Sequence, residues 1–275
     1  MSNAILQVKP DVQGEDPLRY AFVEMLFALA VSQVAIHAAE LTTAKDFSWS
    51  GFAPAISHLV LSLVVIAASW VSWRKSQSPG MKLEIQSVFS RRFLALLLDV
   101  LLVVLYFILV RGIELQQKDG NTVLAPPSAV PEARWIAAIF GVYVVWDLLA
   151  DVFSSKCLSA VGIFGRLWQG VRVAVVCTAA SVFCGVLSLI IFVLASNQSG
   201  GGAVILLDLA LMFLILLFRV LKVFERPLAR RFGVEPCKAF ASSRVVTGRE
   251  KWLVLFLIAA YATAANLASS LHLFY

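Results

Sequence analysis

The residues in this sequence that are equipped for chemistry are a few ionisable side chains set inside long apolar runs. They are Glu24, His37, His58, Asp99, Asp147, Asp151, Arg172, Asp208 and Arg219. Such residues are costly in a membrane, and they usually face protein or water. The acids among them either attract or conduct cations, relay protons, or lock helices together as ion pairs. The sequence alone leaves these three alternatives open.

Enzyme, metal and cofactor chemistry is not predicted. The sequence has no HExxH, GxSxG, Walker or Rossmann glycine pattern, so we do not expect an enzyme. We expect His37 and His58 to serve packing or hydrogen bonding rather than metal binding. Cys177 and Cys184 lie two helical turns apart, about 10.5 Å, which is too far for a disulfide. No cofactor is expected.

The composition of the chain defines its class. Of its 275 residues, 60% are hydrophobic and only 15% are charged, whereas soluble domains have about 45–50% and about 25%. This excess excludes a disordered chain, a collagen-like fibre and a polar nucleic-acid-binding domain. We therefore predict an all-α polytopic integral membrane protein, with one transmembrane domain over 1–275 and the lipid bilayer as its surroundings.

Seven apolar runs are long enough for spans of about 20 residues. They cover about 20–40, 52–73, 93–112, 135–155, 172–196, 203–224 and 252–273. The fourth run is the weakest, because Asp147 and Asp151 interrupt it. Ser199 and the glycines 200–202 predict a tight turn between the fifth and sixth runs.

Lys and Arg are concentrated in alternate loops, and the net charge is +6. By the positive-inside rule, the N-terminus is cytoplasmic and the C-terminus is outside, in a cell membrane that we expect to be a bacterial inner membrane. The loop at 225–251 is basic, with seven basic and two acidic residues over 226–251 (net +5). It is either a solvated basic loop or a surface for a cytoplasmic protein or an anionic lipid.

The orientation gives the intramembrane residues a depth. Five of them fall in the cytoplasmic third, close to Arg74: Glu24, Asp99, Asp147, Asp151 and Arg172. Asp208 stands apart near the outer surface. Arg219 lies 11 residues further along the same run, about 16 Å away. Asp208 is therefore the best single candidate for a solvated or protonated site.

The first two runs have distinctive sequences. The first contains Arg19-Tyr-Ala-Phe22-Val-Glu24-Met-Leu-Phe27-Ala-Leu29-Ala-Val-Ser32, and the second ends Leu61-Ser-Leu-Val-Val-Ile-Ala-Ala-Ser-Trp70-Val-Ser-Trp73-Arg74. They resemble the first two helices of the transmembrane protein 175 family of potassium channels, whose signature is an arginine, Phe-Ser-Asp and Phe-Ala-Ile-Ala-Ile-Thr. The resemblance covers about 19–75. Glu24 replaces the family's aspartate, and Trp73-Arg74 replaces its paired histidines.

The resemblance implies a cation channel in which four first helices line a pore. Leu29 would form the aliphatic constriction, and Ser32, Gln33 and Ile36 would continue the stripe, since positions i, i+3, i+4 and i+7 share a helix face. Arg19, Phe22, Glu24, Trp70 and Arg74 would stand in the family's polar network. With one repeat in the chain, a pore requires a homo-oligomer, a tetramer by analogy, and the permeant ion would be a monovalent cation such as potassium.

The leading hypothesis is thus a cation channel or channel-like oligomer with a hydrophobic constriction on the first helix. One alternative is a non-conducting membrane partner that recruits a soluble protein or lipid through 226–251. Another is a small secondary transporter that uses Asp147, Asp151 and Asp208. No nucleic-acid partner is expected.

Overall fold

The computed structural model describes residues 17–43, 49–76, 91–112, 115–118, 121–124, 126–149, 163–198 and 200–231. Within these ranges the chain forms helices and one β-hairpin. The helices are α1 (Pro17–Thr43), α2 (Trp49–Ser76), α3 (Arg91–Arg111), α4 (Val130–Asp147), α5 (Ile163–Ser196) and α6 (Gly201–Arg231), and the strands are β1 (Leu115–Lys118) and β2 (Asn121–Leu124).

Five of these helices, α1, α2, α3, α5 and α6, are long and apolar enough to cross a membrane. This is the architecture of a multi-pass membrane protein, as the composition predicts. The predicted number of seven spans is not confirmed. α4 is a helix of 18 residues that carries Glu132, Arg134 and Asp147, and it is not among the five. The seventh run, 252–273, lies outside the described residues.

Three helices extend at least five residues beyond the apolar runs that predict them, and one of these, α5, begins at Ile163, nine residues before its run. α4 begins at Val130, five residues before the predicted span, with Pro131 in its first turn, where a missing N–H is tolerated. This start places Glu132 inside the helix. α6 continues to Arg231, so the first residues of the predicted basic loop are helical. The rest of that loop, 232–251, lies outside the described residues.

The helices pack in a ring whose order is α1, α2, α6, α5, α4 and α3, with α2 and α3 also in contact with each other. Large buried side chains, among them Tyr106, Phe140 and Phe218, fill its interior. α1 lies at one edge, where it contacts α2 and α3. The β-hairpin joins α3 to α4 and marks what we call the hairpin end of the bundle, where α2, α4 and α6 begin. The other end is called the far end.

The β-hairpin lies in the loop that the sequence predicts to hold turns and extended chain. β1 and β2 are antiparallel, with Leu115 opposite Leu124 and Lys118 opposite Asn121. Asp119 and Gly120 stand between them in the sequence, and this is a pair that two-residue hairpin loops prefer. The predicted glycine turn is also present, because α5 ends at Ser196 and α6 begins at Gly201.

Gly200 gives this turn its shape. Its φ of +119° lies in a region that side-chain-bearing residues rarely adopt, and its carbonyl accepts the first backbone hydrogen bonds of α6, from Ala203 and Val204. We predict that Gly200→Ala lowers the free energy of unfolding by about 1–2 kcal/mol. The measurement is unfolding of the purified protein in detergent by titration with a denaturing detergent.

Gly202 provides the matched control, because it lies in the first turn of α6 and a Cβ there would meet nothing within 4 Å. Gly202→Ala should leave stability unchanged or raise it, since alanine is the better helix former. Equal losses for the two variants would contradict the role assigned to the φ of Gly200.

Candidate functional site

Polar side chains inside the bundle form three clusters, each built by α6 and its neighbours. The hairpin-end cluster contains Ser57, His58, Glu132 and Asp208. The middle cluster contains Ser69, Tyr106, Tyr143 and Arg219. The far-end cluster contains Asp147, Ser181, Lys222 and Glu225.

His58 and Glu132 form a buried pair in the hairpin-end cluster. The His58 ring lies between α3 and α4, with Nδ1 on a carboxylate oxygen of Glu132 and Nε2 2.9 Å from the carbonyl oxygen of Leu109. A carbonyl only accepts hydrogen bonds, so Nε2 must carry a proton. A second proton lies between Nδ1 and Glu132, on one or the other. Whichever holds it, the His58–Glu132 pair has no net charge.

Asp208 adds a carboxyl group to this neutral pair. Its side chain is fully buried, and its Oδ2 is 2.5 Å from the hydroxyl of Ser57. The same hydroxyl lies 2.8 Å from the carbonyl oxygen of Pro54. Ser57 has one proton to donate, and the carbonyl can only accept. Both contacts are hydrogen bonds at once when Asp208 is protonated and donates to Ser57, which then donates to Pro54.

The middle cluster is a set of hydroxyl groups around one guanidinium. Arg219 donates from one terminal nitrogen to the hydroxyl of Tyr143 at 2.9 Å and to that of Ser69 at 3.1 Å. Tyr143 also contacts the hydroxyl of Tyr106 at 3.1 Å. The Arg219 guanidinium lies over the rings of Tyr143 and Phe218, with its carbon 5.3 and 5.1 Å from their centres. Hydroxyls and aromatic faces thus replace its hydration.

The far-end cluster is centred on Lys222, whose ammonium group uses all three protons. It contacts Asp147 at 2.8 Å, Glu225 at 2.9 Å and the carbonyl oxygen of Cys177 at 3.1 Å. Ser181 donates to the second oxygen of Asp147. Two carboxylates and one ammonium leave one negative charge, and Arg219, one turn from Lys222 on the same helix, compensates it. The charges of Asp147, Glu225, Lys222 and Arg219 therefore balance.

The first two clusters share one register. On α2, α4 and α6 the polar residues of the middle cluster come eleven positions after those of the hairpin-end cluster: His58 and Ser69, Glu132 and Tyr143, Asp208 and Arg219. Eleven residues make just over three full turns and span about 16 Å, so both members lie on one helix face. The shared spacing of eleven residues is a signal in the sequence that could have located the site. The sequence analysis did not find it on α4, because the apolar run assigned to that helix excluded Glu132.

The predicted polar network is distributed over several places. Glu24 pairs with Arg74 between α1 and α2, while Asp147 pairs with Lys222 between α4 and α6. Phe22 and Trp70 have exposed side chains on the surface of the bundle. Three further members are located only by their helix: Arg19 lies in α1, Asp99 is half-buried in α3, and Arg172 lies in α5. Asp151 lies outside the described residues.

Three of the four residues of the predicted pore stripe, Leu29, Ser32 and Ile36, lie on the side of α1 that faces away from its own bundle. Leu29 and Ile36 are 48% and 49% exposed, and Ser32 donates to the carbonyl oxygen of Ala28 in the same helix. Gln33 is partly buried and contacts the ring of His37, which in turn contacts Glu40. Both histidines thus make the hydrogen bonds expected of them.

The described residues contain no group of three or more His, Cys, Asp or Glu side chains that could hold a metal ion. Comparisons with known proteins add no assignment, since no protein-family model, no curated protein and no solved structure matches this chain. The family resemblance of the first two helices therefore stays a prediction, and function has to be argued from the geometry of the site.

The charge balance of the far-end cluster can be measured. Lys222→Met leaves the buried Asp147 and the half-buried Glu225 without their ammonium group, and we predict a loss of about 3–5 kcal/mol in the free energy of unfolding. Adding Asp147→Asn removes one of the uncompensated charges, so the double variant should recover about 1–3 kcal/mol relative to additivity. Unfolding in detergent provides the measurement for the complete double-mutant cycle.

Arg134 is the control for a basic residue with an exposed side chain. Arg134→Met should change the stability by less than about 0.5 kcal/mol. Strictly additive effects of Lys222→Met and Asp147→Asn would rule out the ion pair as a stabilising contact.

Proposed function

We propose that this protein is a small secondary transporter that moves protons through the interior of a single chain. The observation that carries the proposal is the surroundings of Asp208. This carboxyl group is fully buried in a membrane helix, and its hydrogen-bond partner among the described residues is a serine hydroxyl. A buried carboxyl group beside an already neutral His58–Glu132 pair is stable when it holds a proton.

Ser57 keeps a hydrogen bond to Asp208 whether or not Asp208 holds that proton. With Asp208 protonated, the proton of Ser57 points to the carbonyl oxygen of Pro54. When Asp208 loses its proton, the Ser57 hydroxyl rotates and donates to the carboxylate instead. One hydrogen bond is exchanged for another, so Oδ2 of Asp208 keeps its contact with Ser57 in both states, while Oδ1 has no hydrogen-bond partner among the described residues. The His58–Glu132 pair is the neighbouring group that can exchange a proton with it.

The remaining clusters support a path for protons rather than for metal cations. From the middle cluster the hydroxyl groups of Ser69, Tyr143 and Tyr106 can pass protons on, whereas the positive charge of Arg219 repels a hydrated cation. The Asp147–Lys222 pair lies one helical turn beyond Arg219 and connects the middle cluster to the far end. The transporter alternative from the sequence is thus supported at two of its three acids, Asp147 and Asp208.

Reconstituted protein tests this function. Proteoliposomes with a pH-sensitive dye inside are given a potassium diffusion potential with valinomycin, and the acidification or alkalinisation of the lumen is followed. We expect wild-type protein to transport protons, and Asp208→Asn to lower the initial rate at least tenfold, because the amide cannot bind and release a proton. Asp147→Asn should also lower it, by removing the acceptor at the far end.

Glu40→Gln is the matched control, since Glu40 is an exposed carboxylate at the hairpin end of α1. It should leave the proton flux unchanged. Wild-type rates no higher than those of protein-free liposomes would refute the proposal, and so would an Asp208→Asn protein that folds and transports at the wild-type rate.

The second candidate function is the cation channel of the leading sequence hypothesis. One observation favours it: Leu29, Ser32 and Ile36 lie opposite the buried face of α1, where another copy of the chain could pack. A ring of leucines would close such a pore by dewetting, and the ring of Ser32 hydroxyls would rehydrate an ion next to it. The permeant ion would be a monovalent cation, with potassium as the first to test.

Potassium flux from proteoliposomes tests the channel. We predict that Leu29→Ala raises the flux several-fold because it widens the constriction, and that Leu29→Trp abolishes it. Val31→Ala is the control, because Val31 is 43% exposed but points to a different side of α1. Two results would exclude the channel. One is a monomeric mass for the purified protein in solution, and the other is the absence of potassium flux in both the wild type and Leu29→Ala.

A further inference from the structure

An apolar layer separates the hairpin-end cluster from the middle cluster. It contains the residues four and seven positions after His58, Glu132 and Asp208, which share their helix faces. These residues are Ser62 and Val65 on α2, Ile136 and Ile139 on α4, and Met212 and Ile215 on α6. Five of the six are apolar, and Ser62 alone carries a hydroxyl group.

The hydroxyl of Ser62 differs from those of other serines in the membrane helices. Ser32, Ser188 and Ser196 each donate to a carbonyl oxygen of their own helix, at 2.7–2.9 Å. Ser62 is fully buried, and its Oγ has no hydrogen-bond partner among the described residues. A buried polar atom of this kind is rare in native proteins and calls for an explanation.

The neighbours of Ser62 on α2 show which way it faces. His58, Ser62 and Ser69 stand at positions i, i+4 and i+11, so one helix face carries all three. His58 contacts α3 and α4, and Ser69 contacts α4 and α6. Ser62 therefore points into the bundle interior, about 6 Å along the helix from His58 and about 10 Å from Ser69.

We propose that Ser62 relays protons across the apolar layer, between the hairpin-end cluster and the Ser69–Tyr143 hydroxyls. This inference rests on the proton-transport function. The distances exceed a direct hydrogen bond, so the transfer runs through water molecules that the hydroxyl orients. A lone pair of Ser62 Oγ accepts a proton from one side while its own proton leaves on the other. The serine ends unchanged, and no further reactant is consumed.

The test compares proton flux in proteoliposomes for wild type, Ser62→Ala, Ser62→Cys and Ser62→Thr. Ser62→Ala should lower the initial rate at least tenfold, because the methyl group neither donates nor accepts. Ser62→Cys, nearly the same size, should lower it similarly, since a thiol is a weak donor and acceptor. Ser62→Thr retains the hydroxyl group and should stay within about threefold of wild type.

Ser188→Ala is the matched control, since Ser188 is an equally buried serine on α5 whose hydroxyl bonds within its own helix. It should transport at the wild-type rate. The midpoint of thermal unfolding separates transport from folding: Ser62→Ala should unfold at or above the wild-type temperature, because the hydroxyl that it loses has no partner in the described part of the chain.

The outcomes distinguish this inference from the function on which it rests. If wild type transports protons, Asp208→Asn does not, and both Ser62→Ala and Ser62→Cys transport as wild type, the relay is refuted while the transport function stands. If wild type itself transports no protons, both are refuted. Loss of transport in Ser62→Ala and Ser62→Cys with retention in Ser62→Thr supports the relay.

Discussion

Charge inside an apolar bundle must be compensated by the protein itself, because lipid chains supply neither counter-ions nor hydrogen bonds. In this molecule α6 creates that demand, since it carries an acid, two basic groups and a second acid along its buried side. The neighbouring helices supply the hydrogen-bonding and charged partners of these groups. α2 contributes Ser57 and Ser69, α4 contributes Tyr143 and Asp147, and α5 contributes a carbonyl group. These contacts define how α2, α4 and α5 are placed around α6.

The two ends of this arrangement satisfy the demand differently. At the far end, Lys222 and Arg219 match Asp147 and Glu225, and every proton of the ammonium group is used. At the hairpin end, His58 and Glu132 neutralise each other, and Asp208 is left with a hydroxyl group. A cluster with a purely structural role is best balanced in charge, because each uncompensated charge costs stability. Asp208 has no basic partner among the described residues and stays neutral only by holding a proton, and a structural role explains this feature least.

The sequence predicts the helices better than it predicts their partners. Spans one, two, three, five and six all correspond to helices, since an apolar run of this length has to bury its backbone polar groups in a helix. Asp208, which the sequence analysis placed apart from the other intramembrane acids, lies at the hairpin end beside Glu132, whereas Asp147 lies at the far end. Glu132 was missed, because hydropathy placed the fourth span at 135 and left the proline-rich entry of α4 as loop. Ser57 and Lys222 were missed because their partners lie on other helices, which no spacing within one run reveals.

The shared register of α2, α4 and α6 also bears on the two candidate functions. Residues eleven positions apart lie on the same face of a helix. The hairpin-end and middle clusters therefore follow one another along the axes of α2, α4 and α6, inside a single chain. The stripe on α1 faces away from these clusters, with α1's own buried side in between. A path through the stripe would use none of the interior carboxyl groups, and an interior path would leave Leu29 and Ile36 to lipid or to another copy. The two hypotheses thus require different residues on opposite sides of α1.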